Sequence, residues 1–182
     1  CLNILRGEID PQTTETLELS IELTARMLVL TKLADTLETA TKRCYEKISN
    51  GEALEKFRHN INLQGGNPII CDSPEILLET VLKIPVNSLL TGFICEIDTK
   101  TVGNAICEIG GGRTKIDDVI DFAVGYECIK KIGDEIREGE TLGILYCRNK
   151  SQSQLILGKL KNAYQISEEK PTNIKLVQKI IS

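Results

Sequence analysis

The sequence predicts an α+β fold, a helical first third followed by a mixed α+β unit of short strands. Three observations carry this. Up to Leu63 the apolar residues recur at the three- and four-residue spacing of helices. From Val81 onward the apolar runs become short and rich in β-branched and aromatic residues. Turns such as Leu90-Thr91-Gly92-Phe93 and Lys131-Ile132-Gly133-Asp134 separate those runs. The change of pattern places an architectural boundary between residues 72 and 82, and two domains are expected, 1–80 and 81–182.

Residues 1–10 read as a short lead-in with Leu2, Ile4 and Leu5 as apolar contacts. Asp10-Pro11 offers an N-cap and a first-turn proline, so a helix is expected from Pro11 to Leu33. Its wide apolar face holds Leu19, Leu23 and Leu30, flanked by Ile21 and Leu28, as in a well-buried helix. A second helix is expected from Asp35, its N-cap, to Ile48, with Leu37, Thr41, Cys44 and Ile48 on one side. Asn50-Gly51 closes it. A third runs from Glu52 to Leu63 and stops at Gln64-Gly65-Gly66-Asn67-Pro68. An apolar run at 69–72 and a turn or single helical turn at Ser73-Pro74-Glu75 follow. Strands are expected at Val81–Val86, Phe93–Ile97, Glu127–Lys130 and Leu142–Cys147. Ser151–Ala163 reads as a helix with Leu155, Ile156, Leu160 and Ala163 inward. Ser167–Asn173 reads as a loop, and Ile174–Ile181 as a final strand or short helix.

Composition narrows the function. The 182 residues carry a net charge of −4, with 41% hydrophobic and 26% charged residues, an ordinary globular balance. No basic stripe or aromatic platform points to nucleic acid. No run of 18 apolar residues points to a membrane, and no signal-peptide pattern is present. Seven cysteines form no C-x-x-C, and His59 is the only histidine, so no metal site is expected. The cysteines fit small apolar residues in a reducing compartment, which suggests the cytoplasm. The chain begins at Cys1, and its one methionine, Met27, lies in a helical pattern. It therefore reads as a piece of a longer protein.

The stretch with most chemical character is Thr101–Gly125. Val102, Ala105, Ile106 and Ile109 give a short helix one apolar face. Gly110-Gly111-Gly112 and Arg113 follow. Glycines can take φ > 0 and bring backbone N–H groups close to a ligand, and Arg113 offers a fork of donors suited to carboxylate or phosphate. Two readings stand. In one, Gly110, Gly111, Gly112, Arg113 and Lys115 form a glycine-hinged loop that reaches an anion or a cleft. In the other, the connection is tight and Arg113 pairs with Asp117, Asp118 or Asp121. No Gly-Lys-Ser/Thr follows, so the loop is not a P-loop.

The order V-G-x-A-x-x-x-I-G-G-G-R-x-x-x-D-D-x-I-D-x-A-V-G over residues 102–125 resembles the C-terminal part of the pyrimidine-nucleoside phosphorylases, the thymidine phosphorylase family. Leu5-Arg6-Gly7-Glu8, Ala53–Arg58 with Gln64–Pro68, and Lys131–Asp134 with Glu138-Gly139-Glu140 extend the resemblance, in order, over nearly the whole chain. One departure is Phe122, where the family often has histidine. The resemblance implies part of an α/β enzyme, a glycosyltransferase that cleaves pyrimidine nucleosides with phosphate to free base and pentose 1-phosphate. Phosphate is a co-substrate, no cofactor is implied, and the complete enzyme is expected to be a homodimer. Residues 1–80 would be the helical remainder of the larger α/β domain, and 81–182 the C-terminal α+β domain. The family's phosphate- and base-binding residues lie upstream, so no catalytic residue is carried over to this chain. The Gly110–Lys115 loop would order as a cleft closes, with Arg113 as its anchor. The alternative is a non-catalytic structural or interaction module. Gly133–Leu142 also resembles lipoyl- and biotinyl-type domains, which suggests a barrel-like sandwich of short strands. Lys150 lies near the place of their modifiable lysine, but Arg148-Asn149-Lys150-Ser151 lacks that lysine's usual context.

Overall fold

The computed structural model describes residues 1–77, 81–172, 177 and 179–181. The chain divides into two compact units, Cys1–Leu77 with Ile174–Ser182, and Leu78–Asn173. Half of the final element expected over Ile174–Ile181, residues 174–176 and 178, lies outside the described residues.

The first unit is built from α1 (Leu2–Leu5), α2 (Pro11–Leu30), α3 (Leu37–Ser49) and α4 (Glu52–Leu63), with 3₁₀ turns at Pro68–Cys71 and Pro74–Leu77. α2 starts on a capping box. The Asp10 carboxylate accepts from the Thr13 N–H at 2.8 Å, and the Thr13 hydroxyl accepts from the Asp10 N–H at 3.0 Å. Pro11 opens the first turn, where its missing N–H costs nothing. α3 is capped by Thr36 rather than Asp35, because the Thr36 hydroxyl takes the Thr39 N–H at 3.2 Å. α4 ends where Gly66 and Gly65 donate back to the Ile61 and Asn62 carbonyls. Arg58 then grips Asp72 through two nitrogens at 2.7 and 2.8 Å, and Arg6 donates to the Cys71 carbonyl at 2.7 Å.

The buried stripe of α2 differs from the expected one. Leu17, Ile21 and Ala25 are buried, while Leu23, Met27 and Leu30 are 54%, 56% and 81% exposed. The helix also ends at Leu30, not Leu33. The physical reason is α3. It presents Ala40 and Cys44 to α2, and Leu17, Ile21 and Cys44 form the core of this unit. The stripe Leu17, Ile21 and Ala25, spaced four residues apart, meets that face, and the second apolar stripe of α2 is left outside.

The second unit holds β1 (Leu82–Asn87), β2 (Gly92–Ile97), α5 (Thr99–Ile106), β3 (Gly125–Cys128), β4 (Glu135–Ile136), β5 (Thr141–Cys147), α6 (Lys150–Asn162) and β6 (Tyr164–Ser167). The strands form two three-stranded antiparallel sheets, in the orders β1-β5-β3 and β4-β2-β6. The fold is α+β, as expected. β4 and β6 are additions to the four expected strands. Val86, Leu145 and Cys147 of the first sheet share a core with Ala105, Ile109, Ile156 and Leu160. Ile94, Ile136 and Leu142 form a second core with Ala163 and Tyr164. Burying each such leucine or isoleucine contributes about 1.5–3 kcal/mol. α6 turns Ile156 and Leu160 inward. Leu155, expected inward too, is 55% exposed because it lies a third of a turn off that stripe. Among the described residues no helix is long and apolar enough to cross a membrane.

Candidate closure loop

The candidate loop grows out of α5. Asp98 caps that helix, accepting the Thr101 N–H at 3.0 Å and the Thr101 hydroxyl at 2.7 Å. α5 then widens into a π turn over Cys107–Gly111, where Gly110 takes φ +97°. A side chain at Gly111 would collide with Ile106, and one at Gly112 with the Cys107 sulfur. The triplet therefore meets two steric demands, a left-handed backbone at its first residue and close packing at the next two.

Both ends of the loop are held. The Asp121 N–H donates to the Gly110 carbonyl at 2.8 Å, closing the stem. Arg148 places Nε and Nη2 on the two Asp121 carboxylate oxygens, each at 2.7 Å. With further help from the Ala123 N–H, Arg148 draws the Asp121 carboxyl down to a pKa of about 2. Gln152, in the first turn of α6, donates to the Ile109 carbonyl at 2.9 Å and accepts the Arg148 backbone N–H at 2.7 Å. Lys159 bonds both oxygens of Glu108 at 2.6 Å. Arg148 and Gln152 were not among the expected site residues. They lie 27 and 43 residues from their partners, so no local pattern announces them.

Between these ends Asp118 organises the turn. One of its oxygens accepts the Thr114 hydroxyl at 2.7 Å, the Thr114 N–H at 2.9 Å and the Lys115 N–H at 2.8 Å. Those bonds, the hydroxyl first, hold the Asp118 carboxyl below its usual range. With Asp118 and Asp121 engaged elsewhere, Arg113 is exposed and makes no ion pair among the described residues. The tight reading, in which Arg113 pairs with a neighbouring aspartate, is not the observed arrangement. Lys115 is exposed as well, and Ile116, Val119 and Phe122 are 90%, 91% and 92% exposed. The loop thus displays two cations and three apolar side chains. It can meet an anion and an apolar wall, and it holds no nucleophile or acid–base pair.

Other clusters are less suited to chemistry. The Tyr126 and Tyr164 hydroxyls lie 3.0 Å apart, with the Cys128 sulfur 3.2 Å from Tyr164. Burial pushes Tyr126 up to about 12 and raises Tyr164 too, so both stay neutral. A cavity of about 540 Å³ in the helical unit is walled by Leu17, Ile21, Leu28, Ile48 and Phe57. Burial raises the thiol of Cys44 beside it, which leaves that sulfur unreactive. Lys150 is the first residue of α6, not the tip of a hairpin, so it lacks the setting of a carrier lysine.

Comparison with known proteins finds sequence similarity to a family. Residues 93–167 match the pyrimidine nucleoside phosphorylase C-terminal domain. The pyrimidine-nucleoside phosphorylase of Bacillus subtilis (strain 168) is 36% identical over 181 residues, covering 100% of this chain and 41% of that protein. Its counterpart in Staphylococcus haemolyticus (strain JCSC1435) is 34% identical over 165 residues, 91% of this chain and 38% of that protein. That of Staphylococcus aureus (strain USA300) is 34% identical over 183 residues, 100% of this chain and 41% of that protein. The chain spans about two-fifths of the length of these relatives.

Proposed function

Since the chain belongs to the pyrimidine-nucleoside phosphorylase family, as the counterpart of its C-terminal part, we propose that it forms the C-terminal portion of an enzyme that cleaves pyrimidine nucleosides with phosphate. The products would be free base and pentose 1-phosphate, which makes the reaction a pentosyl transfer. Phosphate is the co-substrate and no other cofactor is invoked. The complete enzyme would work in the cytoplasm as a homodimer. Its phosphate- and base-binding groups would lie in the part of the relatives that this chain does not span.

The observation that carries the reading is the similarity over the whole chain to pyrimidine-nucleoside phosphorylases, and the exposed Arg113 on a loop pinned at both ends supports a closing role for that loop. Gly110, Gly111, Gly112, Arg113 and Lys115 would form the loop that closes on the opposite wall of the cleft, with Arg113 bonding an acceptor there. Closure of this kind excludes water and strengthens the electrostatic stabilisation of an oxocarbenium-like transition state. The test is phosphate-dependent release of uracil or thymine, followed by ultraviolet absorbance. The chain alone should release neither base. With the upstream part supplied, activity should appear, and Arg113→Ala should lower kcat/KM. Activity from the chain alone would place the catalytic groups here. An unchanged kcat and KM in Arg113→Ala would remove the loop from the mechanism.

A further inference from the structure

We propose that Arg148, just before α6, and Gln152, in its first turn, are positioning residues that set the direction in which the Arg113 loop points. The two side chains reach opposite ends of one loop. Arg148 holds Asp121 at its C-terminal end, and Gln152 holds the Ile109 carbonyl at its N-terminal end. Gln152 also joins the two grips, since its oxygen accepts the Arg148 N–H while its nitrogen serves Ile109. α6 itself is anchored by the fully buried Ile156 and Leu160, in the core that also holds Ile109. The loop stem is therefore tied to the core of its unit twice, by its own buried Ile109 and Val124 and by the side chains of Arg148 and Gln152. A bidentate arginine–carboxylate pair fixes orientation as well as distance, which a point-charge lysine does not.

This inference takes the closing role of the loop from the proposed function, but its first test does not depend on activity. Amide hydrogen exchange and tryptic cleavage after Arg113 and Lys115 are compared in the wild-type chain and in Arg148→Ala, Arg148→Lys and Gln152→Leu. In Arg148→Ala the Asp121 and Ala123 amides should exchange about tenfold faster, as expected from losing a charge-assisted bond, and cleavage in the loop should rise with them. Leu145 and Ile156 should exchange at the wild-type rate. Arg148→Lys should fall between the two, and Gln152→Leu should free the Ile109 end. Unchanged loop exchange would overturn the proposal. So would a uniform rise over the whole unit, which would make the pair a general stabiliser. In the complete phosphorylase, Arg148→Ala combined with Arg113→Ala should be no worse than Arg113→Ala alone, because both act through one contact. Multiplying losses would overturn the link. If the phosphorolysis reading itself failed, the exchange result would still decide whether the clamp holds the loop.

Discussion

Arg113 and Arg148 sit beside the same group of aspartates, yet only Arg148 is bound to one of them. Asp121 is taken by Arg148 and Asp118 by its own turn, and Arg113 makes no ion pair among the described residues. The glycines before it are set by sterics. Gly111→Ala should destabilise the second unit by about 1–3 kcal/mol, through overpacking against Ile106 and Val124. Gly110→Ala should cost about 1–2 kcal/mol for a left-handed alanine. Arg113→Ala should stay within about 0.5 kcal/mol of wild type, as an exposed side chain without a partner does. Urea unfolding of the three variants checks this, and equal losses in all three would refute it. The motif from Val102 to Gly125 was visible in the sequence because its signals are adjacent. The frame behind it was not, because Arg148 and Gln152 meet the loop only after the sheet and α6 have folded.

At the scale of elements, local signals read well and partner-dependent ones did not. The Asp10-Pro11 start of α2 and the glycine stop of α4 depend on neighbouring residues alone, and both stand where the spacing put them. The inward face of α2 depends on α3. Both stripes of α2 are apolar, and only the arrival of Ala40 and Cys44 selects Leu17-Ile21-Ala25 over Leu23-Met27-Leu30. Leu17→Ala should therefore cost the helical unit about 2–5 kcal/mol, whereas Leu30→Ala should change it by less than about 0.5 kcal/mol. Thermal or urea unfolding followed by helical circular dichroism separates them, and similar losses would show that the outer stripe is buried in solution. β4 and β6 escaped for the same reason. A two-residue strand and a four-residue strand directly after a helix have no period to detect, and they exist because both pair with β2.

Over the whole molecule, each unit holds carboxylates that are more acidic folded than unfolded. Arg58 lowers Asp72 in the helical unit, and Arg148 lowers Asp121 in the other. A carboxyl with a depressed folded pKa stabilises the fold above its unfolded value, about 3.9, and loses that contribution as pH falls through the folded one. For Asp121 the window is therefore about pH 4 down to about pH 2. Both units should lose stability on acidification below about pH 4. Arg148→Ala should flatten that dependence in the second unit, and Arg58→Ala in the first. Circular dichroism and urea titrations between pH 2 and 5 would show it, and parallel pH profiles for wild type and variants would contradict it. The α+β class could be read from the sequence, because it rests on residue spacing over long stretches.

A loop whose two ends are gripped from outside can be rewritten between them. Residues 113–120 contribute none of the bonds from Arg148 and Gln152 that hold Asp121 and Ile109. Lengthening such a segment is also cheap, since doubling it adds only about 0.6 kcal/mol of closure entropy. The segment is in effect a cassette on a separate mount: its length can change without breaking the bonds that Arg148 and Gln152 make to Asp121 and Ile109.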